Sequence, residues 1–270
     1  MMRNGDLEGR FPRAFRVAQV RQETPRVRTF VLEGRLAAQP GQFVMAWLPG
    51  LDEKPFSLAD ADPLTLAVAR VGPFTEALHR LKVGDRLWVR GPQGRGFSVP
   101  SGRLFVVGGG YGVAPLLFLA RRAREAGREV WAALGARTAA ELLFVDRFRA
   151  LGCRVEVATE DGSTGRRGLA PEVAAALLAE GGVAGLAACG PEGLLQAVAA
   201  LGRRWDVPTE VSREAYMRCG IGVCGSCARD GRLVCKDGPV FQVHPAPASQ
   251  ADAPLLHLPH LEVTPLAPEG

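Results

Sequence analysis

Short apolar stretches separated by turn residues fill the first hundred positions of the chain. The dipeptides Pro40-Gly41, Asp62-Pro63 and Gly84-Asp85 mark turns between them. We predict strands over residues 15–20, 27–32, 42–48, 64–70 and 86–89, with a short helix over residues 74–81. This spacing predicts a small antiparallel β-barrel.

After residue 102 apolar strands alternate with helical stretches. We predict strands over residues 104–107, 129–134, 154–158 and 185–188, and helices over residues 114–125, 140–151, 171–178 and 191–201. Four such alternations predict an α/β domain with a doubly wound parallel sheet. We therefore divide the chain into a barrel domain (1–101), an α/β domain (102–206) and a small C-terminal module with a Pro-rich tail (207–270).

Four of the six cysteines lie close together in the C-terminal module, at Cys219, Cys224, Cys227 and Cys235. The order C-x4-C-x2-C followed by a later cysteine is the plant-type arrangement that holds a [2Fe–2S] cluster. Intervening glycines suit a loop that brings amide groups close to sulfur. A structural zinc site is the alternative, but it would be expected to show two C-x2-C pairs, and only one is present.

Glycine-rich turns mark two strand ends in the α/β domain. Residues 108–112 place Gly109 and Gly110 between an apolar strand and a helix, where a phosphate or ribose can approach the backbone. Cys189, Gly190 and Pro191 follow a later strand and open another helix. The first loop lacks strict G-x-G-x-x-G spacing, so packing is an alternative role for its glycines, and Cys189 fits a buried small hydrophobe equally well.

Two segments of the barrel domain combine groups that suit a flavin diphosphate. Residues 54–57 place Lys54 and Ser57 just after a strand, and residues 70–75 precede the short helix. Each is also an ordinary strand end with a turn. The redox chemistry favours a site, because a nicotinamide exchanges two electrons as a hydride, an iron–sulfur cluster exchanges single electrons, and a flavin can link them.

Charge and hydropathy exclude several other classes of function. The formal net charge is +5, and the 30 arginines and 3 lysines are scattered, which gives no support to nucleic-acid binding. The longest uncharged run, residues 104–120, contains four glycines and Pro115, so we predict no membrane span. The first ten residues lack an apolar core typical of a secretory signal, and we expect a cytoplasmic protein.

The motifs together resemble a known superfamily. The runs at 40–43, 54–57, 72–75, 91–97, 108–113 and 189–191 are similar, in this order, to those of ferredoxin reductase-like flavoproteins. The residues that flank the cysteines, at 216–222 and 234–241, resemble the electron-transfer subunits of class 1B dihydroorotate dehydrogenases. The resemblance covers about residues 14–241.

The resemblance implies three redox groups in this chain: FAD, NAD(H) and a [2Fe–2S] cluster that faces a separate FMN-containing dihydroorotate dehydrogenase subunit. It implies that electrons from dihydroorotate pass through the cluster and FAD to NAD+. The residues implied at the FAD site are Lys54, Pro55, Phe56, Ser57, Arg70, Val71, Gly72 and Thr75. Those implied at the nicotinamide site are Gly109, Gly110, Cys189, Gly190 and Pro191, and no residue is assigned a catalytic role.

Two departures from the family pattern affect these expectations. Lys54 stands where the family usually has arginine, which keeps the charge but loses the two-pronged contact with phosphate. Only seven residues separate Cys227 from Cys235, so the chain should turn tightly at Asp230-Gly231. The alternatives are an NAD(P)H-linked reductase subunit of the same build, serving a hydrogenase, a transhydrogenase-like flavoprotein or an oxygenase, and a non-catalytic zinc or redox-sensing regulator.

Overall fold

The computed structural model describes residues 11–243, and its N-terminal half is a closed six-stranded antiparallel barrel. Around the barrel the strands follow the order β1-β2-β5-β4-β3-β6. Their bounds are β1 (Arg13–Thr24), β2 (Val27–Leu32), β3 (Phe43–Leu48), β4 (Asp52–Ala61), β5 (Leu64–Ala69) and β6 (Arg86–Gln93), with helix α1 (Pro73–His79) before β6. The barrel predicted from the apolar pattern is confirmed.

The prediction that Lys54 to Ser57 follow a strand and form a turn is wrong. They lie inside β4, which pairs with β3 from Phe43 opposite Ser57 to Leu48 opposite Asp52, and with β5 on its other edge. Pro55 and the charged residues before it are uncommon in strands, so the local sequence does not predict this strand. Closure of the barrel supplies the pairing partners that the local sequence does not reveal.

The second half contains a seven-stranded sheet with helices on its faces, which confirms the predicted α/β architecture. Its strand order is β10-β9-β8-β7-β11-β12-β15, parallel except for β15. The elements are β7 (Arg103–Gly109), α2 (Val113–Glu125), β8 (Val130–Ala136), α3 (Val145–Ala150), β9 (Arg154–Thr159), β10 (Arg166–Arg167), α4 (Ala170–Leu178), β11 (Val183–Cys189), α5 (Glu192–Trp205) and β12 (Thr209–Ser212). The short hairpin β13 (Ala228–Arg229) and β14 (Arg232–Leu233), the turn of helix α6 (Val234–Asp237) and β15 (Val240–Val243) complete the described chain.

The helix predicted over residues 140–151 is shorter than expected. A 3-10 turn covers Ala139–Glu141, and α3 begins only at Val145. Between them Phe144 has a left-handed φ of 62°, and Leu143 and Phe144 are buried. Burial of these two side chains in the sheet's core therefore takes precedence over the helical periodicity.

The sheet extends past residue 206, where the sequence analysis ended the α/β domain. Strands β12 and β15 pair with each other at its edge, and residues 213–239 leave and re-enter the sheet between them. The cysteine-bearing segment is thus an excursion from the edge of this sheet. The division at 101 and 206 remains a prediction.

Helix α2 joins the two halves. Its Phe118 is 1% exposed and packs into the core of the barrel, while its Arg121 forms an ion pair with Asp60 of β4. No helix among the described residues combines the length and the apolar character needed to span a membrane.

We expect Phe118→Ala to lower the free energy of unfolding by about 3–5 kcal/mol, because it leaves a cavity where the helix meets the barrel. Urea unfolding of the apoprotein, followed by circular dichroism, measures the change. Phe11→Ala is the control, because Phe11 is 67% exposed and its loss should change stability by less than about 0.5 kcal/mol. Equal midpoints for the two variants would contradict the role of Phe118.

Candidate functional site

A cavity of about 610 Å³ lies where the barrel meets the sheet. Its walls come from β4, the loop before α1, the glycine turn before α2 and the chain that follows β12. A cavity of this size at a domain junction is typical of a cofactor site.

Seven of the eight residues predicted to contact FAD line this larger cavity: Lys54, Pro55, Phe56, Ser57, Val71, Gly72 and Thr75. The eighth, Arg70, is exposed and lies outside the lining, and its carbonyl accepts a hydrogen bond of 3.1 Å from Arg26. The structure therefore brings together residues from β4 and from the loop before α1, which lie about fifteen positions apart in the sequence.

The larger cavity has an apolar wall and, apart from it, the charged pair Lys54 and Asp52. Phe56 and Phe74 stack with their ring centroids 6.1 Å apart. Lys54 Nζ lies 2.5 Å from Asp52 Oδ2 and 5.8 Å from the centre of the Tyr216 ring, and the hydrogen bond from Lys54 lowers the pKa of Asp52. An aromatic ring system that carries phosphate groups fits this division of the surface.

Thr75 fixes the loop before α1. Its hydroxyl oxygen accepts hydrogen bonds from the amides of Val71 at 2.9 Å and Gly72 at 3.0 Å. A Cβ added at Gly72 would meet no atom within 4 Å, and the φ of Gly72 is 175°, an extended value open to any residue. Glycine at this position therefore leaves space in the cavity rather than relieving the backbone.

A smaller cavity of about 450 Å³ adjoins the first. Gly109, Gly110, Gly190 and Pro191 line it, as the predicted nicotinamide site requires. The two loops touch, because a Cβ added at Gly112 would lie 2.7 Å from Gly190 Cα. Glycine at 112 and 190 lets the ends of β7 and β11 come together.

Cys189 lines the larger cavity rather than the smaller one. Its side chain is buried, and burial raises the pKa of its thiol to about 12. The thiol is therefore neutral near pH 7, which suits a contact surface and not a nucleophile.

Four residues line both cavities: Tyr111, Gly112, Arg213 and Glu214. Tyr111 Oη donates a long hydrogen bond of 3.4 Å to Glu214 Oε2. The surrounding protein raises the pKa of Glu214 by desolvation, although its carboxylate opens onto the cavities. Sequence reasoning did not identify Tyr111, Arg213 or Glu214, and the only signal was the position of Tyr111 inside the glycine turn.

Arg213 ties the smaller cavity to the cysteine-bearing segment. Its Nη1 lies 2.8 Å from Asp230 Oδ2 in the β13–β14 hairpin, and its Nη2 lies 3.2 Å from Glu192 Oε1 at the start of α5. Asp230 and Gly231 have φ values of 50° and 73° and form the tight turn that the sequence predicts.

The four predicted cluster ligands form two contacting pairs, Cys219 with Cys224 and Cys227 with Cys235. Backbone amides point at their sulfurs: Val223 N and Cys224 N each lie 3.4 Å from Cys219 Sγ, and Gly222 N lies 3.1 Å from Cys235 Sγ. Among the described residues, no group of three or more His, Cys, Asp or Glu side chains is arranged as the ligands of one metal ion. Assignment of the cluster therefore depends on the four thiols and their amides, which fit a two-iron group.

The cysteines differ in exposure and in acidity. Cys224 is exposed, and its hydrogen bonds with Ser226 lower its pKa to about 6. Cys227 and Cys235 are buried, and burial raises the pKa of Cys235 to about 12. Cys224 therefore faces solvent, Cys219 is half-buried, and the pair of Cys227 and Cys235 faces the protein interior.

Two apolar side chains connect the larger cavity with the inner cysteines. Phe43 and Met217 line the cavity and also pack in the same small core as Cys227 and Cys235. The cavity lining and this core are therefore contiguous.

Comparison with known proteins agrees with this geometry. Residues 214–245 match the model for the iron-sulfur cluster binding domain of dihydroorotate dehydrogenase B. A protein of Methanocaldococcus jannaschii is 43% identical over 228 residues, which cover 84% of this chain and 88% of the relative, and one of Methanopyrus kandleri is 46% identical over 221 residues, which cover 79% and 84%. Both carry the name "Probable dihydroorotate dehydrogenase B (NAD(+)), electron transfer subunit".

The solved structures similar to this chain include an oxidoreductase and a nucleotide-binding domain of a dioxygenase. The structure of an NADH-dependent reduced ferredoxin–NADP oxidoreductase matches with a TM-score of 0.78 and 29% identity, and the match covers 88% of this chain and 91% of that one. The FAD/NAD binding domain of a Vibrio cholerae nitric oxide dioxygenase shares the fold, with a TM-score of 0.62 and 21% identity.

The closed barrel, the parallel sheet and the two cavities at their junction define a reductase of the ferredoxin reductase-like fold. Its cysteine-bearing excursion and its curated relatives narrow the class further. The chain belongs to the family of dihydroorotate dehydrogenase B electron transfer subunits.

Proposed function

We propose that this chain passes electrons between NAD(H) and a separate dihydroorotate dehydrogenase subunit, in pyrimidine biosynthesis. FAD occupies the larger cavity, the nicotinamide enters the smaller one, and the four cysteines hold a [2Fe–2S] cluster. The partner subunit carries FMN and oxidises dihydroorotate. The names of the curated relatives support the reaction and the existence of the partner.

One observation carries the proposal: the two cavities share four lining residues, and the larger one shares Phe43 and Met217 with the core around the inner cysteines. Conversion between two-electron and one-electron transfer requires the flavin to lie between the nicotinamide and the cluster. The apolar lining, the free space beside Gly72 and the cation of Lys54 fit a flavin with its diphosphate. The thiol pairs with their amide donors fit the cluster.

The residues of this chain mainly position the redox groups. Bound FAD supplies the exchange between hydride and single electrons. Glycines at 109, 110 and 190 let the nucleotide approach the backbone, while Phe43 and Met217 exclude water on the side of the cysteines. Hydride transfer between stacked rings depends on orientation and needs no protein base, so we assign no catalytic residue.

The direct test is anaerobic co-expression with a candidate FMN-containing subunit, followed by cofactor analysis and a dihydroorotate-dependent NAD+ reduction assay. We expect FAD, iron and acid-labile sulfide in the purified complex, and activity only with both subunits. Zinc in a colourless protein would contradict the proposal and favour the alternative of a non-catalytic zinc regulator.

The similarity to the ferredoxin–NADP oxidoreductase favours one alternative, a subunit of a transhydrogenase-like flavoprotein complex. That match covers nearly the whole of both chains. Assays with each partner in turn distinguish the two: NAD+ reduction by dihydroorotate supports the main proposal, and electron exchange with ferredoxin and NADP(H) supports the alternative.

Lys54 gives a graded test of the FAD site. We expect Lys54→Met to weaken FAD binding about tenfold, because one charge-assisted contact with phosphate is lost, and Lys54→Arg to tighten it severalfold. Fluorescence of released FAD during dilution measures both. Lys82→Met, at an exposed lysine on the same domain, controls for net charge, and an equal loss of FAD from that variant would contradict a direct contact.

A further inference from the structure

One part of the outer face of the barrel is buried. Along β3, Val44 and Ala46 point into the core of the barrel, so Phe43 and Met45 point outwards, yet Phe43 is 2% exposed and Met45 is fully buried. Both pack against Met217 and the inner cysteines. The cysteine-bearing segment therefore covers this face of the barrel.

Arg90 lies on the same outer face. It is opposite Met45 in the pairing of β6 with β3, and it is 9% exposed. Its Nε donates to Glu53 Oε1 at 3.0 Å and its Nη2 to Glu53 Oε2 at 2.8 Å, so the guanidinium holds the carboxylate with two hydrogen bonds. Glu53 belongs to β4, and the pair thus bridges across β3.

The same guanidinium contacts the cysteine segment. Arg90 Nη2 also donates to the carbonyl oxygen of Cys219 at 2.9 Å. The next residue, Gly220, has a φ of 68°, and a Cβ there would lie 2.9 Å from Met45 Cγ. The first predicted cluster ligand is therefore held against the barrel by a hydrogen bond and by close backbone packing.

A partly buried ion pair of this kind is a costly way to gain stability. Removing two charges from water offsets much of their attraction, and apolar residues of similar volume often stabilise a fold equally well. The pair instead fixes geometry, because a guanidinium presents its donors in a rigid plane. Glu53 fixes that plane, and the remaining donor is directed at the backbone of Cys219.

We propose that Arg90, oriented by Glu53, is a positioning residue for the iron–sulfur cluster: it docks the loop of residues 219–224 on the barrel and sets the electrostatic potential at the cluster. This inference rests on the cluster in the proposed function. One-electron reduction adds a negative charge to the cluster, which the Arg90 cation stabilises and the Glu53 anion destabilises.

The two partners therefore have opposite effects on the reduction potential of the cluster. Glu53→Gln removes the anion and should raise the potential, whereas Arg90→Met leaves an unpaired anion and should lower it. Arg90→Lys keeps the charge but loses the two-pronged contact. It should leave the potential nearer that of the unsubstituted protein and speed hydrogen exchange of the Val223 and Cys224 amides about tenfold.

The experiment is a dithionite titration of the holoprotein followed by electron paramagnetic resonance, with hydrogen exchange measured by mass spectrometry. Arg103→Met is the matched control, because Arg103 also donates to a carboxylate, Glu129, and to a backbone carbonyl, Gly181, but lies in the sheet. The reduction potential of the cluster in Arg103→Met should equal that in the unsubstituted protein.

Potential shifts of opposite sign for Glu53→Gln and Arg90→Met, with faster exchange in Arg90→Lys, support the inference. Shifts of the same sign, or none, overturn it, since a packing role alone would not depend on charge. An unsubstituted protein without iron and sulfide would contradict the proposed function itself, so the two failures are distinguishable.

Discussion

The Cys224→Ser variant should lose electron exchange with the partner subunit while NADH still reduces its FAD. Serine is a poor ligand for iron, and the three remaining cysteines cannot hold the cluster without the exposed thiol of Cys224. We expect dihydroorotate-dependent NAD+ reduction by the complex to fall at least about 100-fold. The rate of FAD bleaching by NADH in a stopped-flow experiment should stay within about twofold, because both cavities lie outside the altered loop.

Cys153→Ser is the matched control. Cys153 is a free, buried cysteine in the core of the sheet and contacts neither cavity. The Cys153→Ser variant should keep its full iron content, its electron exchange with the partner subunit and its reduction of FAD by NADH. If Cys224→Ser transferred electrons to the partner as fast as the unsubstituted protein, the cluster could not be the route.

The Gly72→Val variant should lose FAD without losing its fold. A Cβ at this position meets no protein atom within 4 Å, Gly72 lines the larger cavity, and its extended backbone accepts any residue. We expect FAD affinity to fall on the order of 100-fold, since the cavity would have to hold both the side chain and the cofactor.

Titration of the apoprotein with FAD, followed by flavin fluorescence, measures this loss, and thermal unfolding of the apoprotein should be unchanged. Gly72→Ala should give a smaller loss in the same direction. Unchanged FAD affinity in the valine variant would show that the cofactor does not occupy the space beside Gly72.

The cysteine site can be proposed from the sequence because its residues are local. All four thiols lie within 17 residues, and the amides that point at their sulfurs, those of residues 222–224 and 235, belong to the same segment. The turn at Asp230-Gly231 is local too. Where residues that are close in the sequence are also close in the structure, a sequence pattern is sufficient to propose a site.

The errors in the predicted fold arise from packing. Strand β4 contains Pro55 and three charged residues in succession at 52–54, so nothing in its own pattern indicates a strand between two neighbours. Phe144 takes a left-handed φ although it is not glycine, because this turn buries it with Leu143. In both places the deciding contacts come from residues distant in the chain.

The same limit applies to the candidate site. Arg90 is 129 positions from Cys219, and Met217 meets Phe43 only once the excursion has folded onto the barrel. Arg213 joins Glu192 to Asp230 across three elements. These residues have no motif of their own, and only the structure assigns them to the site.

The cysteine-bearing segment joins the sheet at a narrow neck, where β12 pairs with β15. Ser212 pairs with Val240, and Arg213 N donates to Pro239 O at 2.9 Å, so the intervening chain starts and finishes at neighbouring rungs. An insert closed at its neck can be lengthened, shortened or exchanged without rethreading the sheet. The architecture thus lets the segment between these strands change in length while the register of the sheet is kept.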